Sequence, residues 1–350
     1  MERADTPSTE RYVHGLVSII VPLYRSESFI LETLQSVLNQ TYENFEVVVV
    51  DDGSPDNSAE VCRGIGDPRI RVFSRENSGP CRSRNFGISQ ARGEFIAFLD
   101  HDDEWMPTKL ERHVEHLRSS PEVGLSFGPS QFMDVDGNPL SLFQVPKLLN
   151  ITPRDVLCRN PVGNGSVPVV RRALFDEVSF EVEREDGSRE LMFFDADSAG
   201  WEDVECWFRM SFMSKRKLEG IADCLTLYRL TPGGITSDAE KKQAACDRGL
   251  ARARRYAPDF LRKHEAAARA YHLRTLARRL VQSHDAAGAV RFIHRTLRSY
   301  PWILIEDFRR TAVTLAAAYM LRILPKGVYG RLETAGLGVI GKSQSRAIDS

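Results

Sequence analysis

The run FEVVVV, Phe45 to Val50, followed at once by Asp51-Asp52-Gly53-Ser54, constrains the fold more than any other stretch of this chain. After its start it has no polar alternation, and a strand apolar on both faces must be covered on both faces. That places it at the centre of a largely parallel sheet wrapped by helices, an α/β architecture. The neighbouring segments agree. VSIIV (Val17 to Val21, stopped by Pro22), RIRVFS (Arg69 to Ser74), EFIAFL (Glu94 to Leu99) and VGLSF (Val123 to Phe127) read as further strands. Between them Phe29, Ile30, Thr33, Leu34, Val37 and Leu38 recur on one helical face, and helices are expected near Pro80 to Ala91 and Pro107 to Ser119. A chain of 350 residues has ample length for a large core and fits two domains or one with an appendage. With 42% hydrophobic and 27% charged residues it is neither collagenous, disordered nor membrane-spanning.

The near-neutral total charge hides an asymmetry. Residues 241–350 carry 22 Lys and Arg against 8 Asp and Glu, which leaves 25 against 40 in the first 240. An acidic body with a basic tail points to an intramolecular, membrane-surface or nucleic-acid partner for the tail. Its arginines alternate with Ala and Leu at helical spacing, so a solvated helix face or contact with an anionic membrane is favoured over nucleic acid. Within the tail, YHLRTLARRLVQSHDAAGAVRFIHRTLRSYP reads as two helices joined near His284 and Asp285 and stopped by Pro301. The segment Trp302 to Leu324, with Arg309, Arg310, Arg322 and Lys326, is the candidate for a membrane interface. Its apolar stretch from Thr311 to Leu324 is too short to span a bilayer, which takes about 20 residues. The six cysteines form no C-x-x-C pair and the first sixteen residues lack an apolar signal stretch, so a reducing cytoplasmic setting is expected.

Two acidic clusters close strands: Asp51-Asp52-Gly53-Ser54 and Asp100-His101-Asp102-Asp103. In open α/β sheets ligands bind at the carboxyl ends of the strands, so both clusters belong to one crevice. Three carboxylates on one turn repel unless they are solvated, hydrogen-bonded or bridged by a cation. They suit a hard divalent ion, or else cap the helix near Pro107. The first cluster is either an ordinary turn or an acceptor for a nucleobase or ribose. A third signal is WEDVECWFRM, where Trp201, Val204, Trp207 and Phe208 share a helical face. Glu202 and Asp203 there are either an acidic first turn favoured by the helix dipole or hold a general base.

Taken in order, VSIIVPLYRSESFILETLQSVLNQTYENFEVVVVDDGSPDNS, NSGPCRSRNFGISQARGEFIAFLDHDDEWMPTKL and WEDVECWFRM resemble a family 2 inverting glycosyltransferase over roughly Val17 to Thr236. The resemblance implies a GT-A fold, a nucleotide-diphospho-sugar transferase architecture with a Rossmann-like, mainly parallel sheet. It divides the chain into a flexible N-terminus (1–16), a catalytic domain (17–236) and a basic α-helical region (237–350). The catalytic domain splits into a nucleotide-sugar-binding half (17–130) and an acceptor-binding half (131–236). Pro22, Tyr24 and Glu27 then line the nucleotide, Asp52 reads the base beside Asp51, and Arg82 lies near the donor, whereas Asn85 is a structural helix residue. Asp100 and Asp102 form the D-x-D element with His101 between them in the donor site. Asp102 is the direct metal ligand, for Mn²⁺ or Mg²⁺, Asp100 faces ribose or metal-bound water within the metal site, and Asp203 is the catalytic base. The implied partners are a nucleotide-sugar donor, most commonly a UDP-sugar, and a saccharide or lipid-linked acceptor. The implied setting is cytoplasmic, peripheral at the inner membrane face, in cell-surface polysaccharide or glycolipid synthesis.

The chain departs from that pattern in places. Arg25 follows Tyr24 where many relatives have Asn, and Leu230-Thr231 follow Tyr228-Arg229 where many carry a His that completes the metal shell. The Q-x-x-R-W element of processive synthases is missing, which favours transfer of one residue. A dinucleotide oxidoreductase and a P-loop enzyme are disfavoured, since VPLYRSES has no glycine and no G-x-x-x-x-G-K-[ST] occurs. A nucleotide-sugar-binding scaffold without catalysis remains the alternative. The irregular middle, Gly128 to Thr231, reads as a substrate-facing elaboration with a mobile loop.

Overall fold

A computed structural model describes residues 12–183, 187–231, 238–325, 327–330, 332 and 344. In chain order the first part reads β1 (Val13–Leu23), α1 (Ile30–Leu38), β2 (Phe45–Asp51), α2 (Ser58–Gly64), β3 (Ile70–Ser74), α3 (Pro80–Gln90) and β4 (Gly93–Phe98). There follow β5 (Glu104–Trp105), α4 (Lys109–Ser119), β6 (Val123–Phe127), β7 (Ser130–Met133), β8 (Pro139–Gln144) and α5 (Pro153–Arg159). Next come β9 (Val169–Arg171), α6 (Arg172–Val178), β10 (Phe180–Glu183), β11 (Arg189–Met192), α7 (Glu202–Met213), β12 (Lys217–Gly220) and β13 (Thr226–Arg229). The chain then turns helical: α8 (Ala239–Tyr256), α9 (Pro258–Gln282), α10 (Ala286–Ser299), α11 (Ile303–Glu306) and α12 (Phe308–Ile323).

The seven-stranded sheet runs β12-β6-β9-β4-β1-β2-β3, parallel throughout except for β9, which is antiparallel to both neighbours. All of β2 is buried, and its pleat divides the load. Val48 and Val50 join the core that holds Cys81 and Ile88 of α3, while Val47 and Val49 join the core that holds Ile30, Leu34 and Val37 of α1. The two-sided covering expected from the unbroken apolar run is therefore present. A second sheet, β5-β13-β7-β8, stands beside the first.

The structure corrects the strand boundaries. β1 starts at Val13, which pairs with Gly93 before a register shift at the left-handed Gly15. It also continues through Pro22, which pairs with Val50. The carbonyl of Leu23 faces β2, where it accepts from the Asp52 N–H. Pro22 must therefore face the β4 side, where the ladder has ended at the Ile20–Phe98 pair, so its missing N–H breaks no bond. The irregular middle is instead rich in strands of three to six residues, β7 to β11 and β13. Runs that short carry too little periodicity to read. Residues 1–11, most of the expected flexible N-terminus, lie outside the described residues, as do 184–186 of the irregular middle and 232–237 just after it.

The helical region is continuous with the α/β body: Ala245, Cys246, Leu250, Ala253, Leu261 and Ala268 share one core with Trp201, Trp207 and Phe208. The expected helical hairpin is formed by α9 and α10. Its turn places His284 in the left-handed region, and Asp285 caps α10 through the Gly288 N–H at 2.9 Å. Among the described residues no helix is long and apolar enough to cross a membrane.

Two histidines, His113 buried and His272 half-buried, make stability depend on pH. His113 meets the Ser126 hydroxyl at 2.7 Å, and burial holds it well below the ordinary value of 6.5. Burial likewise lowers His272 to about 4, with Arg279 and Lys242 adding repulsion. A histidine depressed in the folded state leaves the unfolded chain to take the proton first, so stability present above 6.5 is lost as pH falls toward 4. Calorimetry should show the melting temperature falling through that window, with a shallower fall in His272→Gln.

Candidate active site

The loops after β1 and β2 are clasped together at the carboxyl edge of the sheet. The Arg25 N–H donates to Ser54 Oγ at 3.3 Å, and the Glu27 carboxylate accepts from the Asn57 N–H at 3.2 Å and its Nδ2 at 3.0 Å. Tyr24 is exposed, with the Arg25 guanidinium 5.3 Å from its ring centroid. Gly53 is left-handed, and a Cβ there would sit 3.1 Å from the Arg75 carbonyl, so this turn requires glycine. The two aspartates divide their work. Asp52 accepts from the Ser78 N–H at 2.9 Å, Ser78 Oγ at 3.2 Å and the Gly79 N–H at 2.8 Å, fixing the entry to α3. Asp51 accepts from the Ser54 N–H at 2.9 Å, and among the described residues nothing donates to its second oxygen.

The structure sorts the three carboxylates after β4. Asp103 is fully buried, accepting from Ser166 Oγ at 2.6 Å and the Arg229 N–H at 3.0 Å, and burial together with Asp102 and Asp100 raises its pKa well above the ordinary range. Asp103 is thus a brace for the turn. Asp102 is half-buried, its pKa raised by burial and by the charge on Asp100. The His101 carbonyl accepts from Thr33 Oγ1 at 2.9 Å, while its Nδ1 is buried without a partner among the described residues. The expectation that these acids cap the following helix is not met, because α4 begins after Thr108 without a side-chain cap.

Arg84 joins this turn to the start of α7. Its Nη2 lies 2.8 Å from Asp100 Oδ1 and its Nη1 2.8 Å from Glu202 Oε1. Burial opposes its charge, and Asp100 and Glu202 together more than restore it. Arg82, expected near the donor, is exposed on the outer side of α3, and its carbonyl accepts from Arg75. The arginine that faces the acidic turn is Arg84, two residues along the helix, for a helical reason. Cys81, Arg84, Asn85 and Ile88 are buried at i, i+3, i+4 and i+7, and Arg82 falls outside that stripe. That periodicity was the available signal. Asn85 acts structurally, as expected: its Oδ1 accepts from the N–H groups of Phe193 and Phe194, and its Nδ2 donates to the Phe194 carbonyl.

Glu202 also accepts from the Gly200 N–H at 2.6 Å. Asp203 follows in the first turn of α7, its carboxylate accepting only from the adjacent Val204 N–H among the described residues. Burial and the charge of Glu202 raise its pKa from 3.8 to about 7. Arg229 was not foreseen. It is 1% exposed, pairs with Glu104 at 2.7 Å and Glu32 at 2.9 Å, and donates from Nε to the Asp102 carbonyl at 2.8 Å. The Tyr228-Arg229 pair is therefore a strap behind the acidic turn. From the helical region, Arg248 donates to the carbonyls of Asp197 at 2.7 Å and Ala199 at 3.2 Å, and Arg252 lies 3.6 Å from Asp195. Part of the basic tail thus partners the acidic body directly, holding the segment that enters α7.

The donor set is one of hard oxygens. Asp102 and the second oxygen of Asp100 suit Mg²⁺ or Mn²⁺. Among the described residues no three His, Cys, Asp or Glu side chains are arranged to hold an ion by themselves. An ion here would complete its shell with water or substrate oxygens.

The sequence matches the family model Glycosyl transferase family 2 over residues 18–178. It is 31% identical over 231 residues to TuaG of Bacillus subtilis, a glycosyltransferase named for teichuronic acid biosynthesis, covering 65% of this chain and 83% of that protein. It is 37% identical over 138 residues to an uncharacterized glycosyltransferase of Haemophilus influenzae, covering 39% of this chain and 55% of that protein. A match to an uncharacterized glycosyltransferase of Rickettsia conorii, 36% identical over 161 residues, covers 45% of this chain and 25% of that protein. The chain thus spans about half or less of several relatives. Two solved structures share the fold. The mannosyltransferase PcManGT of Pyrobaculum calidifontis, in complex with GDP-Man and Mn²⁺, aligns with a TM-score of 0.53 at 21% identity over 89% of this chain and 87% of that one. Residues 1–349 of Staphylococcus aureus TarS, in complex with UDP-GlcNAc, align with a TM-score of 0.51 at 20% identity over 87% and 81%.

Proposed function

The chain belongs to glycosyl transferase family 2, and from that premise we propose that it transfers one sugar, with inversion, from a nucleotide-sugar donor to an acceptor hydroxyl. The observation that carries this reading is Arg84, which spans 2.8 Å contacts to Asp100 and to Glu202 and so ties the acidic turn and the start of α7 into one site. The solved relatives that hold UDP-GlcNAc and GDP-Man support a nucleotide sugar as donor. Pro22, Tyr24 and Glu27 form the donor-side loop, and Asp51, with an oxygen to spare, is better suited than Asp52 to accept from a nucleobase. We assign residues 17–130 to the donor half, 131–236 to the acceptor half and 237–350 to a supporting helical region.

The reaction needs a base on one side of the anomeric carbon and charge neutralisation on the other. Asp203, raised to about 7, is poised to take the acceptor proton as the new C–O bond forms and the bond to the leaving diphosphate breaks. Asp102 and Asp100 would hold a divalent cation, as the Mn²⁺-bound relative suggests. Such an ion, when bound, offsets the charge developing on the leaving group. Arg84 holds Asp100 and Glu202 at fixed positions, and Asp103 and Arg229 stiffen the turn from behind. The acceptor is a saccharide or lipid-linked saccharide of cell-surface polymer or glycolipid synthesis, a class that the name of TuaG supports. The proposed setting is the cytoplasmic side of a membrane, in keeping with six unpaired thiols.

The test is calorimetric binding of UDP, GDP, CMP and dTDP and their sugars with and without Mn²⁺ or Mg²⁺. One nucleotide should bind in a metal-dependent way, and Asp102→Ala should weaken it by about tenfold or more. Absence of metal-dependent binding for every nucleotide would sink the reading. Slow donor hydrolysis by the wild type separates an enzyme from a binding scaffold.

A further inference from the structure

The five most exposed large apolar side chains among the described residues all fall within one stretch: Ile323 at 73%, Ile305 at 72%, Trp302 at 64%, Phe308 at 63% and Val313 at 61%. They form an outward face. On α12, Thr311, Thr314 and Ala318 turn inward, whereas Val313, Ala316, Met320 and Ile323 follow one another along the solvent side. Solvent-facing stripes of this kind are uncommon on a protein surface and mark an interaction site.

The charges around the face decide its partner. Arg309, Arg310 and Arg322 are exposed beside it, and no Asp or Glu occurs from Phe308 to Leu332. The two acids within the stretch, Glu306 and Asp307, are neutralised by arginines of the body. Glu306 pairs with Arg154 at 2.6 Å and accepts from Tyr300 at 2.8 Å, and Asp307 lies 3.3 Å from Arg274 and 3.5 Å from Arg159. What remains is an apolar, aromatic face with an uncompensated positive rim. A second copy docking by the same face would set that rim against its own duplicate. An anionic bilayer satisfies both parts, taking the apolar side chains at the headgroup boundary and the arginines at its surface charge.

We propose that α11 and α12 dock the protein on an anionic membrane surface, through Trp302, Ile305, Phe308, Val313 and Ile323 with Arg309, Arg310 and Arg322. The inference does not depend on the transferase reading, since none of these residues belongs to the site around Arg84.

The experiment is sedimentation of the full chain with vesicles of phosphatidylglycerol and phosphatidylcholine against vesicles of phosphatidylcholine alone, at low and high salt. The wild type should partition at least about tenfold more strongly onto the anionic vesicles at low salt, and less at high salt. The variant Trp302→Ser/Ile305→Ser/Phe308→Ser should lose binding to both, and Arg309→Glu/Arg310→Glu should lose the anionic preference. Unchanged melting temperature and donor hydrolysis identify folded variants. The surface charge pair serves if the serine variant fails to fold. Equal wild-type partition onto both vesicles, or variants that bind like the wild type, would overturn the proposal. So would a wild-type dimer that the serine substitutions dissociate, or binding that appears only after residues 333–350 are removed.

Discussion

Asp203→Asn is expected to lower kcat by about 10²- to 10⁴-fold while leaving donor affinity within about twofold. The substitution keeps the shape of the side chain and removes only its ability to take a proton. Asp203 sits in the first turn of α7, among the described residues accepts only from the Val204 N–H, and has its pKa raised to about 7 by partial burial and the charge of Glu202. The pH profile follows from that shift. A base raised to about 7 is largely protonated below it, so kcat/KM should rise with pH through about 7 and level off above. The profile in the variant should be flat across this range. Steady-state kinetics with isothermal titration of the donor read both effects. An Asn variant that retains wild-type kcat would assign the base elsewhere.

Arg84→Ala should cost both activity and stability. Asp100 and Glu202, with side chains 28% and 11% exposed, would lose their shared cation while Asp203 stands next to Glu202. Removing one partner from a buried ion pair costs about 3–5 kcal/mol, because the charge left behind has no compensation. The positive charge of Arg84 also holds the Asp203 pKa down against burial and Glu202, so without it the acid limb of kcat/KM should move above its wild-type position as kcat falls. Arg84→Lys should be a weak substitute, since an ammonium cannot reach two carboxylates with a planar fork. A double variant, Arg84→Met with Glu202→Gln, distinguishes structure from catalysis. It should recover most of the lost melting temperature and little of the lost kcat. Recovery of both would reduce Arg84 to a packing residue.

Much of this was legible in order along the chain. The unbroken FEVVVV run determined an interior strand covered on both faces, although β2 lies next to the edge strand β3 and β4 takes the centre, and the acidic turns that close β2 and β4 fell at the carboxyl edge of one sheet, as in any open parallel sheet. The α9–α10 turn at His284 and Asp285 was legible because helical periodicity and caps act within a few residues. What escaped lies in pairings across the chain. Arg84 and Glu202 are 118 residues apart, Asp103 and Arg229 126 apart, and Arg248 reaches a segment some 50 residues earlier. The short strands of the middle were unreadable because three or four residues form a strand only when another element supplies the hydrogen bonds.

The sequence by itself determined the fold class, the acidic motifs and the charge asymmetry, because these rest on local periodicity and composition. Only the tertiary structure decided which carboxylate does what. Asp52 and Asp103 are consumed in holding loops, while Asp51, Asp100, Asp102 and Asp203 keep capacity toward the crevice. It also divided the basic tail between arginines that brace the entry to α7 and those beside the exposed apolar face of α12. The physical reason is the same in each case: a side chain's role depends on its burial and partners, and both are set by segments distant in sequence.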